Sequence, residues 1–305
     1  CKIDQQVKMN IPTINLLSSP DWLDYELLDS GLGFKLERYG KYILKRPEPE
    51  AIWSPSLPEQ FWKDIHAEFV VSNEKNGGHW VKKKNIDPTW LMDYKDIRFM
   101  VQLTASRHLG VFPEQAAQWD WIQQQIQSTK RKIKLLNLFG YTGIASLAAA
   151  KAGAMVTHVD ASRKVINWGQ ENQKISLISE SSIRWLVDDA FKFVKRESRR
   201  GSRYDAIIMD PPKFGRGPKG EVWEFYKILP NLFNGCREIL SAQPLFVIIT
   251  AYAVKASSLT LYNGLQAIMQ PYKGKTEAGE VILPAKKSEN ALSMAVYSRW
   301  SAEPN

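Results

Sequence analysis

The sequence predicts a doubly wound α/β sheet of seven strands with an antiparallel last strand, joined to a small N-terminal α+β domain. Three observations predict it. From about residue 133 onward, short continuous apolar runs alternate with helix-length segments, the pattern of parallel strands covered on both faces. The last two runs, "EVILPAKK" and "ALSMAVYSRW", are separated only by the polar "SENA", so they close as a hairpin and reverse one strand. Residues 1–110 lack this beat and are broken by Pro47, Pro49, Pro55 and Pro58.

In chain order, "FKLERYGKYILKRP" reads as a hairpin around Tyr39 and Gly40. After the prolines, "PEQFWKDIHAEF" is expected to be a helix, and "GGHWVKKK" and "DIRFMVQLT" further strands. This β-rich unit, residues 1–110, is a candidate for substrate recognition. Residues 111–305 form the second domain. There "IKLLNLF" is the first strand, followed by an alanine-rich helix to residue 152. "MVTHVD" is the second strand, and a helix over 163–175 follows it. "SIRWLVDD" is the third strand and "YDAIIMDPP" the fourth. A helix over 222–240, the fifth strand "LFVIITAY" and a helix over 255–269 lead to the closing hairpin. There are no internal repeats and no low-complexity tracts.

Hydrophobic content of 44 % and charged content of 24 % are those of a globular protein. No apolar run reaches the ~18 residues that cross a bilayer, and the N-terminus lacks the pattern of a secretory signal. With Cys1 and Cys236 alone there is neither a disulfide framework nor a metal-ligand spacing, so a cytoplasmic protein without metal is expected. The net charge of +9 is unevenly placed: residues 1–110 carry 15 basic and 15 acidic side chains, the rest 26 and 17. A basic excess suits a polyanionic partner such as nucleic acid.

Chemistry concentrates at the ends of the strands. In "KLLNLFGYTG" a glycine turn follows the first strand, where backbone N–H groups and a helix N-terminus can approach a polar ligand. Leu138 stands where a dinucleotide fingerprint needs its first glycine, and no G-K-[ST] follows, which removes NAD and P-loop readings. S-adenosylmethionine remains, with Asp160 closing the second strand for ribose hydroxyls and Asp188-Asp189 closing the third for adenine. "MDPPKF" ends the fourth strand: an acid fixed by two prolines can accept hydrogen bonds from an amine, and Phe214 can stack on a flat substrate.

Together "NLFGYTG", "VDAS", "VDDAFKFV" and "MDPPKF" resemble the motifs of class I S-adenosylmethionine-dependent methyltransferases. Within them the chain is most similar to bacterial large-subunit (23S) ribosomal RNA methyltransferases of the cytosine-C5 and guanine-N7 kinds. "GVFPEQAAQWDWI" and "DPPKFGRGPKGEVW" extend the likeness over residues 111–300. The resemblance implies a Rossmann-like fold and transfer of a methyl group to a nucleobase of RNA, ribosomal RNA in particular. It implies cofactor contacts from Asn137, Phe139, Gly140, Tyr141, Thr142 and Gly143, with Gln115 from the preceding segment. Asp160 and Ser162 would meet the ribose, and Asp188 and Asp189 the adenine. Asp210, Pro211, Lys213 and Phe214 would face the substrate, Asp210 also lying beside the cofactor. Cytosine-C5 enzymes need a thiolate that adds to the base, and the related ones carry it after the fifth strand. Here "IITAYAV" offers none, and Cys236 falls on an apolar helix stripe, so nitrogen is the expected acceptor. Trp223 is expected either to stack on the base or to pack, and the "GRGPKGEVW" loop to close over it. Lys213, Arg216, Lys219, Lys255, Lys286 and Lys287 could ring the mouth. A methyltransferase for a small molecule or protein, and an inactive RNA-binding homologue, are the alternatives.

Overall fold

A computed structural model of the chain describes residues 12–19, 22–72 and 77–303. The first strand, β1 (Ile14–Ser18), is followed by β2 (Tyr25–Gly31), β3 (Phe34–Tyr39) and β4 (Tyr42–Pro47), then the short helix α1 (Glu59–Lys63), β5 (Ala67–Val71) and β6 (Gly78–Lys82). β2 to β6 form a five-stranded sheet in sequence order, and β7 (Thr89–Tyr94) and β8 (Ile97–Gln102) form a separate hairpin. The hairpin at Tyr39 and Gly40 is where the sequence places it. The segment expected as one helix is not: only its first half is helical, without a buried residue, while "AEFVV" becomes β5, paired with β4 and β6. Alternating apolar side chains gain more from a half-buried sheet than from an exposed helix.

After a 3-10 turn (Pro113–Gln115) come α2 (Ala116–Gln127), β9 (Lys134–Leu138), α3 (Ile144–Lys151), β10 (Met155–Asp160), α4 (Arg163–Ile175), β11 (Ile183–Val187), α5 (Ala190–Arg199) and β12 (Ala206–Met209). A small hairpin, β13 (Phe214–Arg216) and β14 (Val222–Glu224), precedes α6 (Phe225–Ile239), β15 (Phe246–Ala251), α7 (Ser258–Met269), β16 (Gly274–Pro284) and β17 (Ala291–Ala302). The large sheet runs β1-β16-β17-β15-β12-β9-β10-β11, and β17 is antiparallel to both neighbours, as expected. It has eight strands rather than seven, because β1 adds a parallel edge to β16, across the expected boundary at residue 110. The expected start of the helix at 222 is instead strand β14, so the "GRGPKG" loop is the tip of a hairpin.

The hydrophobic core follows the layers. Leu135, Ile208 and Ile248 on one face of the sheet pack with α2 and α3 and with Tyr94, Phe99 and Val101 of the β7–β8 hairpin, a cluster that runs from Trp22 to Leu292. The other face packs Leu138, Ile207 and Ile249 against α5, α6 and α7, with Cys236 inside. β9 lies between β10 and β12, so the chain leaves it in opposite directions on its two sides. That switch point opens a crevice at the carboxyl ends of the strands, where ligands of such sheets bind.

Candidate active site

The crevice is built from a strained turn upward. Beyond β9 the backbone takes left-handed conformations at Phe139 (φ 57°) and Tyr141 (φ 53°), where a side chain is unfavourable, and at Gly143 (φ 85°). Asp160 supports the turn: its carboxylate accepts the Tyr141 N–H at 3.0 Å and the Ser162 N–H at 2.9 Å. Burial raises the Asp160 carboxyl, and those backbone N–H groups act against the rise. Gly140 is small for packing reasons, since a Cβ there would lie 2.3 Å from the His158 ring. His158 is buried, with Nδ1 2.9 Å from the Ser146 hydroxyl.

A cavity of about 730 Å³ opens over this turn. Its lining includes Phe139, Tyr141, Asp160, Asp188, Asp189 and Asp210, contributed by the ends of β9, β10, β11 and β12. Asp189 caps α5, accepting the Lys192 N–H at 2.8 Å, and Asp188 is paired with Arg196. Across the Asp210-Pro211-Pro212 bend the Trp223 indole donates to the Pro212 carbonyl at 2.6 Å and packs on Phe139 at 4.8 Å. Trp223 is therefore a buried clamp, whereas Phe214 is 66 % exposed with Lys213 over its ring. Lys213, Phe214 and Arg216 line the cavity's edge.

Some residues implied by resemblance lie elsewhere. Asn137 is buried beneath the turn, gives its amide to Ser146 and does not line the cavity. Ser162 contributes only its backbone N–H to Asp160, and Thr142 is buried with its hydroxyl on the Gly110 carbonyl. Gln115, Gly140, Thr142 and Gly143 border a smaller hollow beside the main one. Of the six basic residues expected at the mouth, Lys213 and Arg216 line it. Cys236 is fully buried, its Sγ 3.8 Å from Met209 Sδ, and burial pushes its thiol far up, so it is no nucleophile. Cys1 lies outside the described residues.

On the opposite wall the sequence points only to His108, just ahead of "FPEQ", as able to reach the cofactor pocket, and it misses the rest. Lys35, Arg46, Glu48 and Arg107, from the N-terminal part, face the cavity, with Phe112 and Tyr252 between the walls. Lys35 and Arg46 are almost fully buried, yet each has a carboxylate: Lys35 binds Glu48 at 3.0 Å, and Arg46 binds Glu37 at 2.7 Å. The Arg46 guanidinium also anchors the Arg107 carbonyl at 2.9 Å. Buried cations need such partners, so a sequence that spaces basic and acidic residues along adjacent strands holds the only available signal. His108 lines the same wall, and burial first, then Arg46 and Arg107, pushes its imidazole down to about 3.

The acids Asp160, Asp188, Asp189 and Asp210 on one floor give the cavity a negative side suited to a cationic ligand with ribose hydroxyls. That floor, at the switch point of a doubly wound sheet, defines an α/β protein that binds a nucleoside cofactor. Comparison with known proteins narrows the class. The S-adenosylmethionine-dependent methyltransferase family matches over residues 72–255, and the chain belongs to it. A crystal structure of an S-adenosylmethionine-dependent methyltransferase from Agrobacterium tumefaciens is 42 % identical, with a TM-score of 0.90 over 95 % of this chain and 94 % of that one. Among curated proteins, ribosomal RNA large subunit methyltransferase K/L of Shewanella frigidimarina is 31 % identical over 258 residues, 77 % of this chain and 35 % of its own length. Ribosomal RNA large subunit methyltransferase K of Neisseria meningitidis is 27 % identical over 226 residues, 73 % of this chain and 61 % of its own length. The chain thus spans about a third or less of the K/L relatives. The cofactor is S-adenosylmethionine. Its sulfonium and ammonium charges match the acidic floor. No helix among the described residues is long and apolar enough to cross a membrane.

Proposed function

We propose that the protein methylates a nitrogen of a nucleobase in RNA, ribosomal RNA in particular, in the cytoplasm. The observation that carries this reading is the Asp210-Pro211-Pro212 bend in the cavity, beside Phe214 and, among the described residues, without a thiol nucleophile. S-adenosylmethionine supplies an electrophilic methyl group. Phe139, Tyr141 and Asp160 hold its ribose side, with Asp188 and Asp189 toward the adenine. Asp210 and the Pro211 carbonyl orient the substrate nitrogen, and orientation at short range is the main catalytic contribution. Phe214, two-thirds exposed at the edge, is free to stack on a base turned out of its strand. The relatives named as ribosomal RNA methyltransferases support an RNA substrate.

The β13–β14 hairpin gives the test. Lys213 and Arg216 at the cavity edge and Lys219 at its tip are exposed, and none of the three forms an ion pair among the described residues. Changing all three to Gln is expected to flatten the slope of log Kd for RNA against log salt by about two units, since each phosphate contact contributes about 0.7–0.9. Cofactor affinity should stay the same. Equal slopes for parent and variant, measured by fluorescence anisotropy, would remove the hairpin from RNA binding.

A further inference from the structure

Positive charge is concentrated at the end of the sheet that faces away from the cavity. Residues 130–134 and 195–203 carry nine basic side chains and one acid, Glu197, in a protein whose whole net charge is +9. The first segment leads into β9, and the second closes α5 and leads into β12. Both therefore lie at the amino ends of neighbouring parallel strands whose carboxyl ends carry the cavity. Asp205 joins the two segments. Its Oδ1 accepts from the Arg131 guanidinium and the Ser241 hydroxyl, each at 2.8 Å, and its Oδ2 accepts the Lys134 N–H at 2.9 Å. The Asp205 N–H in turn donates to the Lys134 carbonyl at 2.8 Å.

Three of the nine cations are neutralised: Arg131 by Asp205, Arg196 by Asp188 and Arg200 by Glu197. Lys195 lies over the Phe191 ring. Lys130, Lys132, Lys134, Arg199 and Arg203 are exposed, and none of them forms an ion pair among the described residues. The macrodipole of α5 favours Arg199 in its last turn, but Lys130, Lys132 and Arg203 lie outside that helix. Solubility is served equally well by dispersed charges of both signs.

We propose that this face is a second RNA-binding surface, a phosphate track behind the catalytic crevice. The inference rests on the RNA reading above. The chemistry of the face selects the partner. Around the cations stand Ser128, Thr129, Ser198, Gly201 and Ser202, and Ile133, the apolar residue of these segments, is buried. A membrane-surface site would add an exposed apolar face, and a protein interface would add aromatic anchors. Lys and Arg among small polar residues match the phosphates of a nucleic acid backbone.

The position of the face also sets the class of RNA. At about 3.3 Å per residue, Lys134 stands about 13 Å behind Leu138 and the turn under the cavity. An RNA that offers a base to the cavity and phosphates to this face is therefore folded, with two segments set apart in space. A short single strand reaches only the cavity and the β13–β14 hairpin.

The test combines Lys130→Gln, Lys132→Gln, Arg199→Gln and Arg203→Gln, none of which touches the cavity lining. Fluorescence anisotropy follows the salt dependence of binding to two labelled RNAs, an unmodified large-subunit ribosomal RNA domain and a short single-stranded oligonucleotide. On the folded RNA the slope of log Kd against log salt should flatten by about three units, since each lost phosphate contact removes about 0.7–0.9. On the oligonucleotide the slope should stay parental, as should S-adenosylmethionine affinity by calorimetry. If the fourfold variant does not fold by circular dichroism, Lys130→Gln with Lys132→Gln should flatten the slope by about half as much. Equal slopes for parent and variant on the folded RNA overturn the proposal. Equal flattening on both RNAs also overturns it, because that marks lost net charge alone. So does parental binding to phosphatidylglycerol vesicles that the variant loses while its RNA slopes stay unchanged. A parent whose binding to either RNA is independent of salt removes the RNA reading and this surface with it, whereas a salt-dependent parent with an unchanged variant removes the surface alone.

Discussion

Asp210→Ala is expected to bind S-adenosylmethionine and to transfer methyl groups about 10²–10⁴ times more slowly than the parent. The carboxylate at the end of β12 is held by two prolines that fix its backbone and by the Gln115 amide. Of the four strand-end acids it is the one that, among the described residues, is neither paired with a cation nor spent on the backbone: Asp188 binds Arg196, Asp189 caps α5, and Asp160 holds the turn. On the proposed reading, its loss removes the acceptor that orients the amine. Alanine leaves the Pro211 carbonyl and the turn held by Asp160 intact, so the loss of kcat should exceed the loss of cofactor affinity. Single-turnover methylation and titration calorimetry on the same preparation separate the two. A variant with parental kcat would place the chemistry elsewhere.

Asp160→Ala is expected to weaken cofactor binding by about 1.5–3 kcal/mol, which is about tenfold to a hundredfold in Kd. The carboxylate has two tasks. It accepts the Tyr141 and Ser162 N–H groups, and so stabilises a turn with two side-chain-bearing residues in left-handed conformations. The second, proposed task is to accept a ribose hydroxyl on the cavity side, which Asp160 lines. Alanine loses both and leaves two N–H groups without their acceptor. Asp160→Asn keeps one acceptor oxygen and should lose less. Titration calorimetry with S-adenosylhomocysteine reads the difference, and an unchanged Kd for the alanine variant would contradict the assignment.

What could be read before the fold was known divides along a physical line. The central strands β9, β10, β12 and β15 are continuous apolar runs because both faces are covered, so their positions and the acids at their ends stand out in one dimension. β1 does not, since its five residues are partly exposed and its partner β16 lies more than 250 positions away. The β13–β14 hairpin carries no period in its glycine-rich sequence, and it escapes notice for that reason. In the cavity, Asp160, Asp188, Asp189 and Asp210 are strand-end acids and are visible as such. Glu114, Tyr252, Lys35 and Arg46 are not, because each acquires its neighbours only when distant segments close around one space. Asn137 and Ser162 show the reverse case. Their positions match a motif, but local hydrogen bonding turns Asn137 inward and leaves Ser162 outside the lining.

The most direct test of nitrogen methylation is transfer of a labelled methyl group from S-adenosylmethionine to unmodified ribosomal RNA, followed by digestion to nucleosides and mass spectrometry. The label is expected on a ring or exocyclic nitrogen of one nucleoside, in parent protein and not in Asp210→Ala. Label on pyrimidine C5, or label confined to protein or small molecules while the RNA stays unlabelled, would contradict the account.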